Sequence, residues 1–465
     1  MLCVPYKIRK EVKLLRKSVL NLLNPRGGVV MFKKWTILAV TLVMLSTLAN
    51  AALVTPTHIG SYNAPISITM NLLPHYSMQA VNPARQKYLE EAYEEWIKKN
   101  PNVQVYFQII SGPTAMAKLL TQARSGTAPD VAQVDSFVLP RFYDYLQPID
   151  KYFADDEIND LLPYCQKGMK HDGQLKALWF TTDVRVLYYR KDLISKPPKT
   201  WAELFELGKK LKKEHPNMNV FMYPAGKNEA TMICLMPLFW AQGGQLVDSA
   251  GQPVFNKGKN REYMLNLLNF LKETVDTGIT PRRVNTITAE AQLNQDVAAG
   301  NVAMFIGGNW QVGQMGNLLG TSALNEKWGV APLPQIRDNV ESTGVGGWTW
   351  GIFTKDPEKQ AAIIRMINEI YFGSHGMFGW TKAAGYLPTR QSVYKDYAYY
   401  ATNPWMQKFV DIMKYGKPRP GFSIYPTIST NLQVAISNVV SGISSPKEAL
   451  DTAWKNVIQE YNRMK

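Results

Sequence analysis

Carboxylates and large aromatic side chains stand beside glycines at several places in the chain, and that combination suits one kind of chemistry. Asp135 closes the run "DVAQVD", Trp310 closes "GNVAMFIGGNW", Trp348 follows Gly346-Gly347, and Tyr386 follows Gly385. A sugar presents C–H faces that pack on aromatic rings, and hydroxyl edges that donate hydrogen bonds to carboxylates. The two glycines before Trp310 also raise the alternative of a phosphate cradle. Such a cradle leads into a helix N-terminus and carries a Lys or Arg to neutralise charge. No basic residue stands near "GGNWQ", so the glycines read as clearance for a flat ligand lying on Trp310.

More residues join this set, each with a plainer reading beside the functional one. Asp183 and Arg185 stand two apart in "TTDVRV", either as a structural ion pair or as neighbours directed to opposite faces of an extended segment. His75 and Tyr76 end the loop after the first strand, Asp135 has the second reading of a turn cap, and each tryptophan that of a core residue. The set weighs more than its members, because these residues fall at strand ends, where α/β sheets collect ligands. Signatures such as G-x-S-x-G and H-E-x-x-H are absent, and the five histidines are scattered. Paired carboxylates keep one enzyme alternative open, a secreted carbohydrate-active enzyme, which the separation and pKa values of its two carboxylates would decide. No metal or cofactor is expected. Cys165 and Cys234, apart from Cys3 the only cysteines, show no metal-ligand spacing and read either as a pair or as two isolated small apolar residues.

The elements that must position these residues follow from periodicity. "ISITMNLL" alternates as a strand from Ile66, and Asn82-Pro83 opens a helix with Tyr88, Leu89, Ala92, Tyr93, Trp96 and Ile97 on its apolar face. Asn100-Pro101 stops that helix. Val103, Val105, Phe107 and Ile109 alternate as a second strand, a helix over 114–123 follows, and "DVAQV" is a third strand. That order predicts a parallel sheet covered by helices. Further on, "RVLYYRKDL" is a strand, Thr200-x-x-Glu203 a capping box, and 261–275 an amphipathic helix. "NVAMFI", "WGVAPLP" and "GGWTWGIF" add strands, and helices cover 357–372 and 446–464. No short-period repeat or low-complexity linker interrupts the chain, which predicts two lobes crossed several times.

At 465 residues the chain is long enough for two domains. Its formal charge of +15 is unevenly placed: nine Lys/Arg against one Glu put +8 in residues 1–51 and leave +7 for the rest. No Arg/Lys stripe with interleaved aromatics appears, so no nucleic-acid partner is expected. Residues 31–51, "MFKKWTILAVTLVMLSTLANA", have the basic end, apolar core and small residues of a cleaved secretory signal. The apolar run is shorter than the roughly 20 residues that span a membrane, and no cysteine follows it to carry a lipid. Residues 1–30 overextend the basic region and read as a leader upstream of a true start at Met31.

Taken together, "TAPDVAQVDSF", "TDVRVLYYRKDL…PPKTWAEL", "FWAQGGQLVDSAGQPVFN", "AAGNVAMFIGGNW", "VAPLP", "GGWTWGIF", "GYLPTR" and "SSPKEALDTAW" resemble the extracellular solute-binding proteins of ABC sugar importers. That group includes maltose- and glycerol-3-phosphate-binding proteins, and the likeness runs from about Ile66 to Tyr461. The resemblance implies an α/β, two-lobed periplasmic-binding-protein fold with multiple interlobe crossings and the ligand in the cleft between lobes. It implies an N-terminal lobe of residues 52–182 plus 332–372 and a C-terminal lobe of 183–331 plus 373–465, with the first crossing near Thr182-Asp183. It implies a monomer in the periplasm that closes on a carbohydrate and delivers it to ABC permease subunits, without catalysis. Asp135, Asp183 and Trp310 match family sugar-binding positions, and Trp348 resembles a second stacking tryptophan. The chain departs from the pattern at "GKNEATMICLM", where Asn228 and Glu229 stand in place of aromatics, and at "GFSIYPTIST", which offers Tyr425 and Ser429 without a tryptophan. A glycerol-phosphate or sugar-phosphate binder remains a further alternative, which needs Arg185 or Arg390 turned into the cleft.

Overall fold

A computed structural model describes residues 53–111 and 114–464. The expected leader (residues 1–30), the expected signal segment (31–51) and Cys3 lie outside the described residues. Among the described residues thirteen strands follow in chain order: β1 (Leu53–Thr55), β2 (His58–Gly60), β3 (Ile66–Leu72), β4 (Val103–Ile109), β5 (Val131–Asp135), β6 (Lys170–His171), β7 (Gln174–Leu175), β8 (Ala177–Arg190), β9 (Asn219–Met222), β10 (Val302–Gly308), β11 (Trp328–Ala331), β12 (Thr343–Ile352) and β13 (Gly416–Pro418). Eleven of them share one sheet in the order β1-β2-β4-β3-β5-β12-β8-β10-β9, with β11 also on β8 and β13 on β12.

The sheet is mixed rather than wholly parallel. β3 pairs parallel with β4 and β5, as the strand–helix–strand order requires, but β12 runs antiparallel to both β5 and β8. β8 is the long member. Its residues 177–184 pair with β12, and from Arg185 onward it pairs with β10 and then β11. Asp183 and Arg185 therefore straddle the point where this strand exchanges one set of neighbours for another.

Local chemistry sets the helix ends. The Asn82 side chain accepts from the backbone N–H groups of Ala84 and Arg85 at 2.9 and 3.3 Å, and opens the helix Pro83–Lys99. Leu89, Tyr93, Trp96 and Ile97 are buried on its inner face. The capping box at Thr200 forms by half: Thr200 Oγ1 accepts from Glu203 N–H at 3.1 Å, while the Glu203 carboxylate turns to Lys199 N–H at 2.7 Å. The helix at 357–367 passes into a wider π turn at Asn368–Phe372. Phe180, Trp350, Tyr371 and Trp380, all fully buried, join these helices to the sheet. Burying one such side chain stabilises by roughly 1.5–3 kcal/mol. The hairpin β1–β2, which pairs with β4, was not visible in the alternation because each strand has three residues. Cys165 and Cys234 are both buried and unpaired. Among the described residues no helix is long and apolar enough to cross a membrane.

Candidate functional site

A cavity of about 400 Å³ opens between the segment 74–85 and the segment 289–314, with Tyr386 closing one side. Trp310 forms one wall. It stands two residues past the end of β10, and a side chain at Gly308 would strike its indole nitrogen at 2.3 Å, so only glycine lets the ring lie back on the strand end. Tyr386 forms another wall, stacked parallel on the buried Tyr76 at 5.7 Å between ring centroids. Tyr76 lies behind the wall and packs in turn on Trp348 and Trp380. His75 is exposed at the rim.

Behind the cavity runs a chain of buried charges. Glu290 lines the cavity and forms an ion pair with Arg185, its Oε1 2.5 Å from Nε, and Arg185 Nη1 lies 2.8 Å from Asp183. Residues two apart on a strand share a face, so Asp183 and Arg185 form the ion pair, and the reading that sets them on opposite faces fails. Burial lowers the basicity of Arg185, but Asp183 and Glu290 outweigh it and hold the guanidinium charged. Burial raises the Glu290 carboxyl above its ordinary value, with Arg185 opposing.

A second cluster gathers on Arg419. Its Nη2 lies 3.2 Å from Asp135 and its Nη1 3.3 Å from Glu229, while the guanidinium covers the Phe137 ring at 4.4 Å. Glu229 also accepts from Tyr425 Oη and Ser429 Oγ, each at 2.5 Å. Asp135 bonds the Phe137 N–H at 3.4 Å, so it does cap the following turn as well. Trp348 is the cross-strand partner of Asp135. The two clusters meet at Gly346, opposite Asp183 in the register. A Cβ there would lie 2.7 Å from Arg419 Nη2 and 3.5 Å from Asp183 Oδ1.

Four carboxylates thus surround two guanidiniums, and burial pushes the Asp135 carboxyl up to about 6, with Arg419 pulling against it and Glu229 and Asp183 adding to it. A carboxyl whose folded pKa exceeds its ordinary 3.8 favours the folded state below 3.8 and loses that contribution as pH rises through about 6. Wild-type stability should therefore gain from this group as pH falls from 7 towards 4. The melting temperature of Asp135→Asn should respond less to pH over that range. Parallel profiles for the two proteins would show that Asp135 does not titrate there.

Of the residues singled out in the sequence, Trp310, Tyr386 and His75 line the cavity. Asp183 and Arg185 stand behind it through Glu290. Asp135, Glu229 and Tyr425 gather on Arg419, and Tyr76 and Trp348 pack behind the aromatic wall. Arg390 turns elsewhere: its Nε donates to Phe372 O at 2.7 Å and its Nη1 pairs with Asp160. Sequence reasoning missed Arg419, Glu290 and Arg85, all of which touch these clusters or the cavity. The one available cue was that buried carboxylates at Asp135 and Asp183 demand cations. Among the described residues no group of His, Cys, Asp and Glu could hold a metal ion.

The family described as bacterial extracellular solute-binding protein matches the chain over residues 80–363. A probable ABC transporter-binding protein of Deinococcus radiodurans is 27% identical over 378 residues, 77% of this chain and 87% of that protein. Maltose-bound MalE3 of T. maritima superposes with a TM-score of 0.71 at 23% identity, covering 84% of this chain and 99% of that one. An ABC transporter solute-binding protein of Thermotoga lettingae bound with α-D-tagatose gives a TM-score of 0.70 at 24% identity over 84% and 98%. These likenesses make the fold a two-lobed α/β fold of the maltose-binding type.

Proposed function

The chain belongs to the bacterial extracellular solute-binding protein family, and from that premise we propose that it captures a sugar or oligosaccharide for an ABC-type importer. The observation that carries this reading is the cavity itself. Two aromatic walls, Trp310 and Tyr386, face it, and a buried carboxylate, Glu290, completes it. Aromatic faces take the C–H surface of a sugar and the carboxylate takes its hydroxyls. The volume falls within the range of small-ligand sites. The relatives bound with maltose and tagatose support the same ligand class.

The lobes in this reading are residues 52–182 plus 332–372 and 183–331 plus 373–465, and the handover in β8 beside Asp183 supports the first boundary. Closing them on the ligand is a hinge motion. The closed protein, a monomer freed from its signal segment, delivers its ligand in the periplasm to permease subunits. It has no catalysis of its own. A glycosidase needs one free carboxylate and one proton donor flanking the bond, whereas Glu229 is held by Tyr425, Ser429 and Arg419. Neither it nor Asp135 lines the cavity. The phosphate reading loses the two cations it called on, since Arg185 and Arg390 already hold carboxylates.

A thermal-shift screen of residues 52–465 against mono- and oligosaccharides tests the proposal. A ligand at a hundredfold excess over its Kd stabilises by about 2.7 kcal/mol. Trp310→Ala should weaken binding of the saccharide found by roughly 1–3 kcal/mol, the loss of one aromatic contact, and leave the fold intact. Unchanged affinity would make Trp310 a packing residue and take the aromatic wall out of the site.

A further inference from the structure

Among the described residues, the side chains of Arg185, Arg390 and Arg419 are only 6–7% exposed, and each meets at least one carboxylate. Arg85 is also buried, the residue as a whole being 4% exposed, and it meets no carboxylate among the described residues. It is the third residue of the helix Pro83–Lys99 and lines the cavity beside Asn82, His75 and Tyr386. Its Nη2 donates to the carbonyl of Ala384 at 2.6 Å, and its guanidinium lies over the Tyr386 ring at 5.1 Å. Its Nε has no hydrogen-bond partner. A buried cation without an anion is costly, and proteins pair such charges.

We propose that the missing anion comes from the ligand: the cavity takes a saccharide bearing a carboxylate, and Arg85 reads that group. This rests on the sugar-binding function above and narrows it. A guanidinium presents planar, parallel donors that match a carboxylate. The alternative partner, a phosphate monoester, carries about −1.5 to −2 at neutral pH. It would meet one free cation and, across the cavity, the Glu290 carboxylate, so the charge balance favours the singly charged group. The ring of Tyr386 beneath Arg85 places the sugar face next to its acid. The bond to Ala384 at the end of the helix Ser374–Ala384 gives Arg85 a packing role too, but it uses one nitrogen and leaves Nε unanswered.

Calorimetric titration of residues 52–465 with D-glucuronate, D-galacturonate and digalacturonate, each beside its neutral counterpart, and with glucose 6-phosphate, tests this. A uronate should bind about tenfold or more tightly than its neutral counterpart, with a preference that weakens as salt is added. Arg85→Met should erase the preference, and Arg85→Lys, which keeps the charge, should retain part of it. Circular dichroism separates a folded variant from a collapsed one, and the wild-type preference stands as a test without either variant. Equal or better binding of the neutral sugar overturns the inference and leaves the saccharide-binding function in place. Preference for glucose 6-phosphate overturns the carboxylate, and a preference that survives in Arg85→Met overturns the role of Arg85. Silence across all probes from folded protein counts against both readings.

Discussion

Arg419→Met is expected to destabilise the protein by about 3–5 kcal/mol, the usual effect of removing one partner from a buried ionic cluster. Among the described residues Arg419 is the one cation that meets both Asp135 and Glu229, and its side chain is 7% exposed. Methionine fills much of the same space over Phe137 but leaves two carboxylates facing each other in a dry site. Tyr425 and Ser429 still bond Glu229, so Asp135 bears most of the change. Its carboxyl, already pushed up to about 6, should rise further. The loss should then shrink as pH falls and Asp135 takes up a proton. Adding Asp135→Asn to the variant should restore part of the stability. Denaturant midpoints for the three proteins at pH 7 and pH 5 measure this. A midpoint unmoved by Arg419→Met would mean that water reaches the carboxylates and that the cluster is not dry.

Arg185→Met carries a comparable expected loss, about 3–5 kcal/mol, with a second consequence for binding. Arg185 holds Asp183 through Nη1 and Glu290 through Nε. Removing it leaves Glu290, part of the cavity wall, as an uncompensated carboxylate. Glu290 then either swings towards solvent or takes up a proton, and in both cases the wall loses its shape. Ligand affinity should fall together with stability, whereas Arg419→Met acts first on stability because its carboxylates do not line the cavity. Arg185→Lys should fall between wild type and Arg185→Met, because one ammonium cannot reproduce the two-sided reach of the guanidinium. Full ligand affinity in a folded Arg185→Met protein would show that Glu290 does not depend on Arg185.

The elements were legible wherever the cue was local. Asn82-Pro83 opens its helix, β3, β4 and β5 follow their apolar alternation, and β10 ends at the glycines before Trp310. The aromatic residues beside glycines could be picked out for the same reason. Their cationic partners could not. Arg419 stands 284 residues from Asp135, and Arg85 stands 299 from Ala384, so no spacing rule connects them. Arg419 sits between two prolines in "KPRPGF", where a surface loop is the natural reading. Glu290 in "TAEAQLN" carries no local sign that it meets Arg185. Three-residue strands such as β1 and β2 are too short to show a period, and the antiparallel insertion of β12 between β5 and β8 depends on tertiary pairing alone.

The measurement to make is a calorimetric titration of residues 52–465 with the saccharide that gives the largest thermal shift, followed by recovery of that ligand. Saturable binding of one ligand per chain is expected, with a negative heat-capacity change as apolar surface is buried, and the saccharide should come back intact. Release of a hydrolysed product, or no heat with any saccharide, would contradict capture of a sugar for transport.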